Sequence, residues 1–511
     1  MKQDPMSRGI NPYLSFGLLL RAGSLLALVL CLLLANEIPG IAQSGPVVWS
    51  SHTNLSDSPE ASAHPAIVAD DYGLVHVFWS EEVGGRPVTP EEGINNTGNS
   101  IFYRRWDGSS WSTPLDVLYV PGEVLAEWPV VAIDAENWLH VVWESMTNVY
   151  YASAPSWQAG SAHNWTMPLA LTTNSASTPW GASITADAEG ILHAVYAGSG
   201  VEKGLNYIRS TDGGESWSVP FTLYRQISQS VGPPSMVQIV VDGVGRLHAV
   251  WQANHVDAGA SGVYYARSTN GGDTWLAPVQ LATREPEDFS VGTPYLMADG
   301  DSELHLIYVD GAYIGSKGRY HRISRDGGAT WSAPVHLITE LVGINSRVIP
   351  IVDGGGQVHL IANMRTEADQ VVGIYYSRWQ GTGWSPVEPV DVSLPQIHYT
   401  AVAVRLGNEL HIVYNQLQGA EVYHIRGRVS QLNPQPALAL PASVPPTRLT
   451  QVVEATPTTT AVQPQTEISS TTGEMLPSQI SSAGIHPLLP AAALALMMVV
   501  AVTVWARIRS R

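Results

Sequence analysis

The apolar positions of this chain are grouped in short runs rather than spread along a helical stripe, and the runs repeat. Val75-His76-Val77-Phe78-Trp79, Leu139-His140-Val141-Val142-Trp143 and Leu192-His193-Ala194-Val195-Tyr196 share one form: an apolar residue, a histidine, then three apolar or aromatic residues. The form returns as Leu247-His248-Ala249-Val250-Trp251, Leu304-His305-Leu306-Ile307-Tyr308, Val358-His359-Leu360-Ile361-Ala362 and Leu410-His411-Ile412-Val413-Tyr414. The seven histidines are 52 to 64 residues apart. Runs this short, rich in β-branched and aromatic residues and bounded by Gly, Asp and Asn, predict strands. A fixed period predicts that each is part of one repeated unit.

Two further markers accompany each copy. An aromatic run follows it, as in Val149-Tyr150-Tyr151, Val263-Tyr264-Tyr265 and Ile374-Tyr375-Tyr376. Next comes a turn closed by tryptophan, clearest at Ser210-Thr211-Asp212-Gly213-Gly214-Glu215-Ser216-Trp217 and matched by residues 268–275 and 324–331. Shorter versions end at Trp111 and Trp384, and a divergent one ends at Trp165. Each unit therefore predicts four strands: a segment such as 129–134, the histidine run, the tyrosine run, and a segment opened by the tryptophan. Four-stranded units of ~50 residues arranged around an axis make a β-propeller. The seventh unit lacks its tryptophan turn, and Val47-Val48-Trp49-Ser50 near the N-terminus resembles the missing piece. The expected fold is all-β, a seven-bladed propeller of four-stranded blades, with the ring closed by an N-terminal strand.

The two ends change the setting. Arg8 and Arg21 precede an apolar run at 25–35, and Gly40-Ile41-Ala42 offers small residues for cleavage, so residues 1–42 read as a secretory signal peptide. The sole cysteine, Cys31, lies in that run, so the exported protein is expected to fold without disulfides. Residues 434–486 are rich in Pro, Thr, Ser, Gln and Ala and nearly lack aromatics, which predicts a disordered stalk. Residues 487–506 form a charge-free apolar stretch, close to the ~20 residues that cross a bilayer as helix. Arg507, Arg509 and Arg511 follow at once in a basic tail, 507–511, expected on the cytoplasmic side. The expectation is a single-pass cell-membrane protein with a transmembrane helix at its C-terminus and the propeller, residues 43–433, outside the cell. The formal charge of −18 argues against nucleic acid as a partner, because an acidic surface repels phosphates.

In the tryptophan turns, an aspartate can accept backbone N–H bonds, glycine supplies positive φ, and the indole packs between sheets. Asp107, Asp212, Asn270 and Asp326, with Trp111, Trp217, Trp275, Trp331 and Trp384, are therefore assigned structural roles. The pattern Ser-x-Asp-x-Gly-x-x-Trp resembles the Asp box, or BNR repeat, of the sialidase superfamily, over roughly residues 45–430. That resemblance implies a propeller whose boxes lie opposite the active site. For catalytic members it implies three arginines on the substrate carboxylate, a Tyr–Glu nucleophile pair and an aspartate as acid/base. The first arginine usually sits in a Phe/Tyr-Arg-Ile-Pro motif, where this chain reads His64-Pro65-Ala66-Ile67-Val68. Catalytic members are also usually six-bladed, whereas seven units are counted here.

In a propeller, first-strand starts and second-strand ends gather on one axial face. The ligand-binding candidates there are Glu127, Glu144, Asn254, Asp310, Arg347, Arg365, His398 and Tyr399, with Trp128 and Trp180 as aromatic faces and Gln252, His255 and Asn415 beside them. Amides, carboxylates and indoles together suit a sugar; a solvated loop surface without a ligand is the alternative. Arg347 and Arg365 could together grip a carboxylate. The seven motif histidines occupy equivalent places on separate blades, so a repeated structural hydrogen bond is expected of them and no metal or other cofactor. The leading expectation is a membrane-anchored propeller that recognises an extracellular ligand, a glycan first. The alternatives are an exo-acting glycosidase of sialidase type, whose catalytic residues the sequence does not name, and a protein-docking propeller of an envelope complex.

Overall fold

The computed structural model describes residues 45–442, apart from 85–97, 121–122, 124, 147, 173–180, 199–202, 226–233, 254–261, 284–290, 311–317, 367–371, 394–396 and 417–420. The signal segment and the stretch 487–506 lie outside the described residues, among which no helix is long and apolar enough to cross a membrane.

Seven antiparallel sheets follow one another along the chain. Blade 1 comprises Ser62–Ala69, Val75–Val83, Gly98–Trp106 and Leu115–Leu118, and blade 2 comprises Glu127–Ile133, Trp138–Glu144, Val149–Pro155 and Leu169–Ala170. Blade 3 is built from Ala182–Ala186, Leu192–Gly198, Gly204–Ser210 and Phe221–Arg225, and blade 4 from Ser235–Val241, Leu247–Ala253, Gly262–Ser268 and Val279–Thr283. Blade 5 holds Val291–Asp299, Glu303–Asp310, Gly318–Ser324 and Val335–Leu337; blade 6 holds Val342–Val352, Val358–Arg365, Gly373–Arg378 and Glu388–Asp391. Blade 7 has Ile397–Arg405, Glu409–Gln416 and Val422–Val429, and its outer strand comes from the N-terminus: Val47 pairs with Val429, Trp49 with Gly427, and Thr53 with His424. The first strands contact one another in order around the ring, blade 7 against blade 1 included. The expected seven blades and N-terminal closure are what the chain adopts.

The second strands are buried along their length because a blade faces a neighbour on each side. Alternate residues serve the two faces. In blade 2, Leu139, Val141 and Trp143 join a core shared with blade 1, while Val142 joins one shared with blade 3. The described apolar core falls into seven such clusters, each shared by two neighbouring blades, including one between blades 7 and 1.

The histidines of the repeated motif are fully buried and bonded at both ring nitrogens in five blades. In blade 4, His248 Nε2 meets Asp242 Oδ2 at 3.1 Å and Nδ1 meets the Tyr265 hydroxyl at 2.7 Å. Asp242 Oδ1 meanwhile accepts the Arg246 N–H at 2.9 Å and closes the hairpin turn. The same relay runs Asp70–His76–Tyr103, Asp134–His140–Tyr151, Asp187–His193–Tyr207 and Asp353–His359–Tyr376. Blades 5 and 7 change both partners: His305 meets His321 at 3.0 Å with Glu303 beside it, and His411 meets His424 at 2.9 Å with Glu409 beside it.

The Asp boxes complete the link to the next blade. Asp212 Oδ1 accepts the Ser216 N–H at 2.9 Å, and Asn270 and Asp326 do the same for Thr274 and Thr330. In the shorter box, Asp107 accepts from the N–H groups of Ser109 and Ser110. Each box tryptophan stands edge-on or tilted to a third-strand ring of the preceding blade: Trp217 on Tyr151, Trp275 on Tyr207, Trp331 on Tyr265, Trp384 on His321 and Trp111 on His424. Trp49 meets Tyr376 in the same way and so completes the series at the closure. Box glycines are required here, since a Cβ on Gly328 (φ +78°) would lie 1.7 Å from the Tyr265 hydroxyl.

After the last blade, residues 431–442 run without regular structure along the turns that join first and second strands. Gln435 N–H donates to Leu406 O and Leu438 N–H to Asp71 O, both at 2.8 Å.

Candidate functional site

At the end of the ring opposite those turns, the first strands depart from regular pairing in a repeated way. In blade 1, Ala63 pairs with Ser80 and Ala66 with Phe78, so His64 and Pro65 together face Trp79. The same two-against-one bulge places Trp128-Pro129 against Trp143, Met236-Val237 against Trp251, Thr293-Pro294 against Tyr308, and His398-Tyr399 against Asn415. In blade 6 the bulge is wider and takes in residues 344–347. The leading residue is left-handed in four blades: His64 φ 54°, Trp128 φ 55°, Met236 φ 52° and Thr293 φ 47°. A left-handed non-glycine costs about 1–3 kcal/mol, and such strain concentrates at functional sites. Bulges re-aim side chains in the same settings.

What the bulges assemble is an aromatic cluster across three blades. His64 of blade 1 stacks on Trp128 of blade 2 with ring centroids 3.4 Å apart. Tyr399 of blade 7 stands edge-on to both, at 4.7 Å from Trp128 and 4.9 Å from His64, and His398 lies against Tyr399 at 3.9 Å. All four side chains are half-buried. Burial and the neighbouring His398 hold His64 down to about 3, and burial also lowers His398, so both imidazoles are neutral at physiological pH. Nδ1 of each is buried without a hydrogen-bond partner among the described residues.

Polar side chains near the second-strand ends hold the chain at or just before the first-strand starts. Glu144, 5% exposed, accepts the Gly181 N–H of blade 3 at 2.6 Å. Gln252 accepts from Thr293 N–H of blade 5 at 3.1 Å, Asn415 from Tyr399 N–H at 3.1 Å, and Asn363 from the Thr400 hydroxyl at 2.9 Å. Glu81 accepts from both the Ser62 hydroxyl and the Trp79 indole. Glu127 pairs opposite Glu144 in register and accepts from Asn99 at 2.9 Å. Burial pushes the Glu144 carboxyl up to about 8, against the pull of its backbone bonds, and burial raises Glu127 as well. Inside the bulges, an axial cavity of about 340 Å³ runs between the first strands, walled by residues such as Pro65, Pro129, Ile184, Ile239 and Tyr295.

Of the residues singled out from the sequence, the structure brings Trp128, Tyr399 and His398 into one cluster, with Glu127 and Glu144 beside it on blade 2. Arg365 ends the second strand of blade 6, half-buried, its guanidinium toward the Thr366 carbonyl. Arg347 lies in the wide bulge of blade 6 and Asp310 pairs with Val291 in blade 5, but their side chains are outside what is described. Asn254, His255 and Trp180 lie outside the described residues. His64 is the member that sequence reasoning did not select. Its signal was available: a polar aromatic before proline at a first-strand start, in the same place as Trp128-Pro129.

The family model of a BNR repeat-like domain matches residues 245–354, from the hairpin turn of blade 4 into blade 6. No curated protein sequence matches the chain. Among solved structures, a protein of unknown function from Dyadobacter fermentans is similar at 15% identity and TM-score 0.47, over 77% of this chain and 100% of that one. A polysaccharide lyase, an ulvan lyase solved with a bound -[GlcA(1-4)Rha3S]- segment, is similar at 12% identity and TM-score 0.48, over 73% and 95%. The NanB sialidase of Streptococcus pneumoniae is similar at 12% identity and TM-score 0.42, over 75% and 70%. The BNR repeat-like match falls on Asp-box turns of the kind that recur around the seven-bladed ring, so this part of the chain is similar to BNR-repeat proteins and the whole is a propeller built on such turns.

Proposed function

We propose that this protein is a membrane-anchored, cell-surface propeller that recognises an extracellular glycan on its bulged axial face. The observation that carries the reading is the cluster of His64, Trp128, Tyr399 and His398, held at three adjacent bulges. Aromatic rings with adjacent hydrogen-bonding nitrogens suit a sugar, which presents an apolar ring face edged by hydroxyls. The strained backbone at His64 and Trp128 and the polar struts beneath fix these rings before a ligand arrives, which lowers the ordering cost of binding. The N-terminal apolar segment, the Pro/Thr/Ser-rich stalk and the apolar stretch 487–506 followed by arginines support display outside the cell.

One observation favours a second reading. A carboxyl kept protonated near neutrality, as Glu144 is, could serve as general acid in an exo-acting glycosidase, with Glu127 as its partner.

The test is a glycan-array screen of the exported protein, run beside turnover of fluorogenic glycosides, in wild type and Trp128→Ala. Binding without turnover, lost by at least about tenfold in Trp128→Ala, is expected. Turnover abolished by Glu144→Gln would replace this reading with the hydrolase. Silence in both assays would overturn both and point to a protein partner.

A further inference from the structure

Resting on the glycan reading, we infer that the aromatic face selects neutral sugars and discriminates against acidic ones. The selection follows from what stands at the ends of the first and second strands in blades 7, 1 and 2. Among the described residues at the first-strand starts and second-strand ends of these blades, no lysine or arginine occurs, while acidic side chains recur: Glu81 and Glu82 stand at the end of the second strand of blade 1, and Glu127 opens the first strand of blade 2. Blade 7 contributes amides, Asn415 and Gln416.

The two histidines do not supply the missing positive charge. His64 lies flat against Trp128 at 3.4 Å, and its Nδ1, like that of His398, is buried without a partner among the described residues. Burial keeps both rings neutral, and the neighbouring His398 adds to that effect at His64. A neutral imidazole offers one donor and one acceptor. That pair matches a hydroxyl, which can accept and donate in turn, whereas a carboxylate needs donors only. An anionic sugar seated on Trp128 and Tyr399 would meet Glu127, the residue next to Trp128, with no countercharge from these strand ends. Like charges several ångströms apart at a half-solvated rim cost about a tenfold loss of affinity.

The experiment measures binding of the full-length chain, purified in mild detergent, to neutral hexose oligosaccharides and to the same oligosaccharides carrying a terminal sialic or uronic acid. The expected result is binding of the neutral set, with the acidic set weaker by about tenfold or more. In Glu127→Gln, which keeps the oxygen that accepts from Asn99, the gap should narrow at least about threefold with the fold intact by circular dichroism. Acidic sugars binding as well as neutral ones in the wild type would overturn the inference and leave the glycan reading standing. An unchanged gap in Glu127→Gln would overturn the assignment of selectivity to this rim. Failure of both sets to bind would overturn the glycan reading itself.

Discussion

Replacing Glu144 with glutamine should stabilise the propeller, and only above the ordinary carboxyl range. Glu144 is 5% exposed at the end of its strand, and burial lifts its carboxyl from 4.5 to about 8. In the unfolded chain it titrates near its ordinary value. Below pH 4.5 both states hold the proton. Between 4.5 and about 8 the folded state keeps it while the unfolded state releases it, so the unfolded state is increasingly favoured as pH rises. The slope is about 1.4 kcal/mol per pH unit, which gives a ceiling of about 5 kcal/mol across the window. Local relaxation and water at the rim bring the expected loss to about 2–4 kcal/mol. Glutamine keeps an oxygen for the Gly181 N–H and removes the titration. Urea unfolding of residues 43–442 at pH 5 and pH 8 checks this, with the two proteins compared at each pH so that other titrating groups cancel. The variant should match wild type within about 1 kcal/mol at pH 5 and exceed it by about 2–4 kcal/mol at pH 8. A variant that is less stable at pH 8, or whose difference from wild type does not change with pH, would refute the reasoning.

Two further substitutions probe the ring. Trp49→Ala removes the closing indole from the Tyr376 edge and should cost about 3 kcal/mol by urea unfolding, while Val48→Ala at the neighbouring 65%-exposed position should cost almost nothing. Equal effects would mean that strand pairing alone closes the ring. Gly328→Ala and Gly245→Ala both place alanine at nearly the same left-handed φ, +78° and +80°, but only Gly328 would press its Cβ on Tyr265. Thermal unfolding should show about 1 kcal/mol lost at Gly245, the backbone cost alone, and a larger loss at Gly328.

The sequence by itself determined the blade count, the strand order and the closure. These follow from local chemistry repeated at a fixed period: the Leu-His runs, the tyrosine runs and the tryptophan turns each specify their own blade, and Trp49 was recognisable as the seventh tryptophan. The histidine relay was half legible: the repeated histidines predict a repeated hydrogen bond, but not that in five blades it is made to the turn aspartate six residues before. The paired change to Glu303 with His321 and to Glu409 with His424 makes sense only once the partners are seen to touch. The site was legible as residue types and not as an arrangement. His64, Trp128 and Tyr399 are far apart in the chain and meet because closure sets blade 7 beside blade 1. The bulges that aim them insert one extra residue against the second strand, which leaves no periodic mark in the sequence. Nor did the sequence say that Gln252 and Asn415 hold backbone N–H groups at the bulges, or that Glu144 holds the N–H of Gly181 ahead of blade 3, Glu144 and Gln252 reaching the next blade. That depends on which strand end lies alongside which, and only the packed ring decides it.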